Sequence, residues 1–198
     1  LGFSLVFPFI FIFMELQTRT LADISTGKMF LLIYFGNMMI PTIIHTMQFS
    51  VNYKGNWLFM AAPIQKPAAA YSGTLKAFLV KLYMPVFVLL SIAFIAIFSW
   101  RIVPDLFAVL LGAILQTLLT YKWLNSSAFP FTQSFEFAQS EGSAKLFLVT
   151  LLAGIFVVGH LIALAITGGI YVYIALLLIA IFIGWRKVFP MKNDVPVR

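Results

Sequence analysis

The sequence predicts an all-α protein, a polytopic bundle of about six membrane-spanning helices. Three observations carry that expectation. Apolar residues make up 62% of the 198-residue chain and charged residues only 10%, against about 45–50% and about 25% in ordinary globular domains. Twenty-two Phe residues and a mean hydropathy of +1.03 add apolar area that so few polar groups cannot offset in water. The apolar residues also gather in long unbroken runs. Runs such as 86–98 and 175–184 lack the strict alternation of a membrane β-barrel strand. In lipid, every backbone N–H and C=O must find its partner inside the protein, so runs of this kind predict helices.

Six segments follow in order. Segment 1–14 is short for a span. It starts inside an apolar run without an initiator Met, which reads as the start of a fragment or of the ordered part of a longer chain. Segments 29–49, 77–100, 104–120, 146–167 and 170–185 complete the set, all within one transmembrane domain over 1–198. Arg101-Ile-Val-Pro104 predicts a tight turn, with Pro in the first helical turn, where no intrahelical N–H bond is needed. Gly168-Gly169 predicts another, with Gly supplying positive φ beyond a helix end. Both turns make antiparallel hairpins of their flanking helices. The longer connections are 15–28, 50–76 and 121–145.

Charge sets the expected orientation. The net charge of +7 comes from 13 Lys and Arg against 6 Asp and Glu. In a six-span arrangement, ten of those cations fall on one side, in 50–76, in 121–145, at Lys81 and in the C-terminal tail. Arg19, Lys28 and Arg101 fall on the other. The positive-inside bias then makes the cation-rich side cytoplasmic. The cations lie between apolar runs and form no stripe along one face, which argues against nucleic-acid binding. The chain has no Cys, which excludes disulfides, thiolate catalysis and Cys-based metal centres.

Chemistry-bearing residues are sparse. Glu15, Asp23, Asp105, Glu136, Glu141 and Asp194 all read as span-end or loop residues. Paired acids for acid–base work and a buried acid relay are therefore expected to be missing from the spans. No phosphate-binding loop is present, so the chain is not expected to hydrolyse nucleotide, and no catalytic, cofactor or metal site is expected. His45 and His160 fall inside spans. They read as polar packing contacts between helices, with a proton or substrate role and haem or metal ligation as the alternatives. In 50–76, Trp57-Leu-Phe-Met is apolar, too short to span, and bounded by Lys. It reads either as an interfacial anchor or as a docking elbow that passes a partner's movement into the next span. In the second reading Trp57, Phe59, Pro63, Lys66 and Lys76 would form the docking surface.

The stretch Asn56-Trp-Leu-Phe-Met-Ala-Ala-Pro-Ile64 resembles the permease subunits of type-2 ATP-binding-cassette (ABC) exporters of bacteria. So do Gly73-Thr-Leu-Lys76, on the way into the next span, and Phe129-Pro-Phe-Thr132 in a later loop on the same side. The likeness covers roughly 50–132, and the chain would be the C-terminal part of a longer permease. It implies residence in the bacterial cytoplasmic membrane, among membrane lipids, and a second permease copy or paralogue. It also implies cytoplasmic ABC ATPase subunits that hydrolyse the nucleotide, and no particular substrate. The competing expectations are a scaffolding subunit of a larger membrane complex and a membrane-embedded enzyme or cofactor anchor.

Overall fold

The computed structural model describes residues 2–57, 61, 67–124, 129–136 and 143–189, with 2–5, 56, 67–69 and 143–145 as backbone only. The fold is an all-α polytopic bundle. Helix α1 (Gly2–Glu15) is apolar and carries Pro8 inside it. At about 1.5 Å per residue its 14 residues reach about 21 Å, short of the roughly 30 Å hydrocarbon layer. Helix α2 (Leu21–Thr26) is a short connector closed by a reciprocal cap between Thr20 and Asp23. Because the Thr20 hydroxyl and N–H both donate to it, the Asp23 carboxyl titrates below the usual carboxylate range.

Five helices among the described residues are long and apolar enough to cross a membrane. The first, α3 (Met29–Thr46), is not uniform. It opens as a 3-10 helix over Met29–Tyr34, continues as α-helix through Phe35–Met38, and restarts at Ile40–Thr46. Pro41 sits in the first turn of that last piece, where its missing N–H leaves no bond unmade.

Helix α4 is assembled from Pro67–Ala77, a π-helical stretch Phe78–Tyr83, and Met84–Phe98. The helix thus begins well before the apolar run that announces it, because Pro67 suits a first turn and Ala68, Ala69 and Ala70 are the best helix formers. In an α-helix, residues five apart point about 140° away from one another. The wider turn brings Phe78 and Tyr83 onto one buried face.

Helices α5 (Val103–Leu124), α6 (Ser143–Ala165) and α7 (Gly169–Val188) complete the bundle. Both expected tight turns are present. Gly168 takes φ +74°, whereas the α4–α5 turn places its positive φ of 66° on Ser99. Helix α5 is central, packing against α3, α6 and α7. Of its most apolar window 61% is buried, against 11% for α7, so α7 lies at the periphery. Outward apolar side chains such as Leu151, Ile155, Leu176 and Ile179 give α6 and α7 a face suited to lipid.

The two ends of the bundle are distinct. At one, the Arg101 guanidinium donates to the carbonyls of Ser25 and Gly27, joining the α4–α5 turn to the end of α2. At the other, the segment after α3 is stapled to the loop after α5. Phe131 N–H donates to Met47 C=O, Thr132 and Gln133 N–H to Gln48 C=O, and Ser50 N–H to Gln133 C=O. At this same end Tyr121 stacks on Phe189 and packs at a tilt against Tyr71.

Candidate functional site

Helix α3 turns Phe30, Ile33 and Tyr34 inward through its 3-10 opening. The Tyr34 hydroxyl lies 3.0 Å from Nδ1 of His160 on α6. On the far side of the same ring, Nε2 lies 2.9 Å from Oδ1 of Asp105 in the first turn of α5. A carboxylate only accepts, so Nε2 carries the hydrogen and Nδ1 is left to accept from Tyr34. His160 is fully buried and Asp105 is 7% exposed. The rings of Phe30, Tyr34 and Tyr173 surround the imidazole at 6.3, 5.8 and 5.8 Å. One imidazole thereby bonds three helices into a unit, α6 to α3 and to α5.

This arrangement adds what the sequence did not reveal, a single acid buried at its span end and paired with a histidine. Asp105 does stand at a span end, as its position implies, but the first turn of α5 faces the bundle interior. The carboxylate is held there because α6 runs the other way and brings His160, five residues before its own end, to the same level. Sequence distance hid the pair, since the partners are 55 residues apart. The available signal was the common end: α5 starts where α6 finishes, and each carries one titratable residue near that end.

A second polar cluster lies deeper in the bundle. Tyr83 of the π-helical stretch donates to Asn37 Oδ1 at 2.6 Å. Asn37 Nδ2 donates to the Val109 carbonyl at 3.3 Å. Sequence reasoning passed over Asn37, although an amide inside an apolar run is itself a sign of an interhelical bond.

His45 stands apart from His160, at the stapled end of α3. It is half-buried, pairs with Gln48 Nε2 at 3.1 Å and meets the Phe49 ring edge-on. The two imidazoles are thus not brought together as a bis-His ligand pair would need. Among the described residues no three His, Asp or Glu side chains gather as metal ligands.

Of the residues assigned to the elbow, Trp57 follows a 3-10 turn over Tyr53–Asn56 and is 62% exposed. Lys76 places Nζ 5.3 Å from the Trp185 ring centroid, a cation–π contact that ties α4 to the end of α7. Phe59, Pro63 and Lys66 lie outside the described residues. Between α3 and α6 runs a groove of about 450 Å³ with Lys28 and Tyr34 in its lining. Its remaining lining is apolar, with Met29 and Leu32 facing Ala153 and Val157.

Compared with protein-family models, with curated proteins and with solved structures, the chain matches none.

Proposed function

We propose that this chain is the membrane-spanning permease subunit of an ATP-driven exporter of the bacterial cytoplasmic membrane. In this reading it pairs with a second permease copy or paralogue. Separate cytoplasmic ABC ATPases bind and hydrolyse the nucleotide, and this chain turns their movement into displacement of its spans. The observation that supports the reading is convergence. The backbone staple between 47–50 and 131–133 holds the loop that carries Phe129–Thr132 against the segment just before the other exporter-like motif, at one end of the bundle. The exposed Trp57 follows that staple in sequence, and α4, beginning at Pro67, runs on through its π-helical turn to Phe98 without a break. A push on the elbow would therefore reach the bundle interior through α4. The π-helical turn marks where that helix changes its inward face, and such turns cluster at functional sites.

The test is to purify the tagged chain from its native membrane and assay the preparation for MgATP hydrolysis. The expected result is an ABC ATPase subunit in stoichiometric amount and hydrolysis that vanadate abolishes. A stable preparation with no ATPase, or a large assembly made of other proteins, would replace this reading with the scaffolding one.

A further inference from the structure

We infer that Asp105, His160 and Tyr34 form a proton-binding site inside the bundle. The site is independent of whatever drives the chain. Its electrostatics follow from its surroundings. With the carboxylate ionised and the imidazole neutral, the cluster carries one net negative charge where His160 is fully buried and the Asp105 side chain is 10% exposed. A buried charge without a counter-charge is costly in a bundle surrounded by lipid. The charges and titratable groups around it offer little compensation. From α3 comes the Tyr34 hydroxyl, from α7 that of Tyr173, and α4 contributes Tyr83, already committed to Asn37. Arg101, in the turn, directs its guanidinium at the carbonyls of Ser25, Gly27 and Phe98 and forms no ion pair with Asp105. Lys28 is exposed and forms no ion pair with Asp105.

Uptake of one proton brings the cluster to zero net charge without moving a helix. The added proton sits on Nδ1 of His160, and the imidazolium so formed is paired through Nε2 with the Asp105 carboxylate. In the loaded imidazolium–carboxylate form both ring nitrogens donate, Nε2 to Asp105 and Nδ1 to Tyr34. Nδ1 can then no longer accept the Tyr34 hydrogen. The hydroxyl has to reverse and donate elsewhere, with Tyr173 alongside. No covalent bond other than the Nδ1–H changes, and release reverses the step. Because Tyr34 also forms part of the groove wall between α3 and α6, loading is felt at the surface of that groove. A purely structural pair would instead keep one tautomer and one hydrogen-bond direction throughout.

Nitrogen-15 NMR of His-labelled chain in lipid nanodiscs separates the two, and the presence of only two histidines makes assignment simple. His160→Gln identifies the His160 signals by their loss. As pH is lowered over the range in which the protein stays folded, Nδ1 of His160 is expected to pass from the bare to the protonated frequency. In Asp105→Asn, which keeps an acceptor but not the charge, Nδ1 is expected to remain bare at a pH where the wild type is protonated. Tyr34→Phe leaves the His–Asp pair intact and is expected to keep the transition, which guards against a folding defect in the Asp105 variant. Nδ1 bare across the whole range in the wild type, or an unaltered transition in Asp105→Asn, would overturn the proposal.

Discussion

At Asn37 a single side chain joins three helices, its carbonyl oxygen accepting from Tyr83 of α4 and its amide donating to the Val109 carbonyl of α5. Hydrogen bonds between membrane helices are worth about 0.6 kcal/mol on average and up to about 1.7 kcal/mol. The 2.6 Å bond from a buried phenol belongs toward the upper part of that range. Tyr83→Phe removes the hydroxyl, keeps the ring stacked on Phe87, and leaves Asn37 Oδ1 short of one donor. We expect it to destabilise the bundle by about 1–1.5 kcal/mol, measured by detergent-titrated unfolding. An unchanged unfolding midpoint would show that this contact is dispensable. Residues of this kind were the least legible in the sequence. Composition marks His160 and Asn37 as polar intruders in apolar runs, but it cannot say which partner waits across the bundle. The burial of Asp105 was missed for a related reason. Its sequence position identifies a helix start, whereas its burial depends on which way that first turn faces.

Elements were far more legible, because apolar run length and turn chemistry act locally. Both tight hairpins fall where Pro104 and Gly168-Gly169 predict them, and the later spans begin and end within a few residues of their apolar runs. The exceptions have local causes that hydropathy does not weigh: the Ala-rich start of α4, and the interrupted α3 with Pro41. The α6–α7 hairpin allows a sharp test. A Cβ on Gly169 would come 2.4 Å from the Ala163 carbonyl oxygen, a backbone atom that cannot step aside, whereas one on Gly154 would meet nothing within 4 Å. Gly169→Ala should lower stability by more than about 1 kcal/mol through the forced shift of the turn. Gly154→Ala, in mid-helix, should be neutral or stabilising by up to about 1 kcal/mol through helix propensity. Thermal unfolding of the two variants in the same detergent checks the pair, and equal effects would mean that the turn is looser than its geometry states.

At the scale of the whole molecule, the bundle has two unlike ends, one with few cations, carrying Arg101 against Ser25 and Gly27, and one where the stapled loops and the end of α7 meet. By the positive-inside bias the second is expected to be cytoplasmic. With no native Cys, Val51→Cys, at a site 83% exposed, should react with an impermeant maleimide only after the membrane is opened. Thr18→Cys should react in intact cells, and the reverse pattern would invert the orientation. The exporter reading adds a load to that cytoplasmic end. If Trp57 is the apolar anchor of an ATPase contact, its truncation should cost about 2 kcal/mol or more, as buried aromatic anchors do at interfaces. An exposed neighbour such as Lys54 should contribute only about 0–1 kcal/mol.

The most direct measurement is quantitative recovery of the ABC ATPase with wild-type, Trp57→Ala and Lys54→Ala chains at matched membrane levels. The exporter account predicts roughly a thirtyfold or greater weakening of association for Trp57→Ala. It predicts less than about a fivefold change for Lys54→Ala, with membrane insertion intact in both. Equal recovery from all three chains, or no ATPase with the wild type, would contradict it.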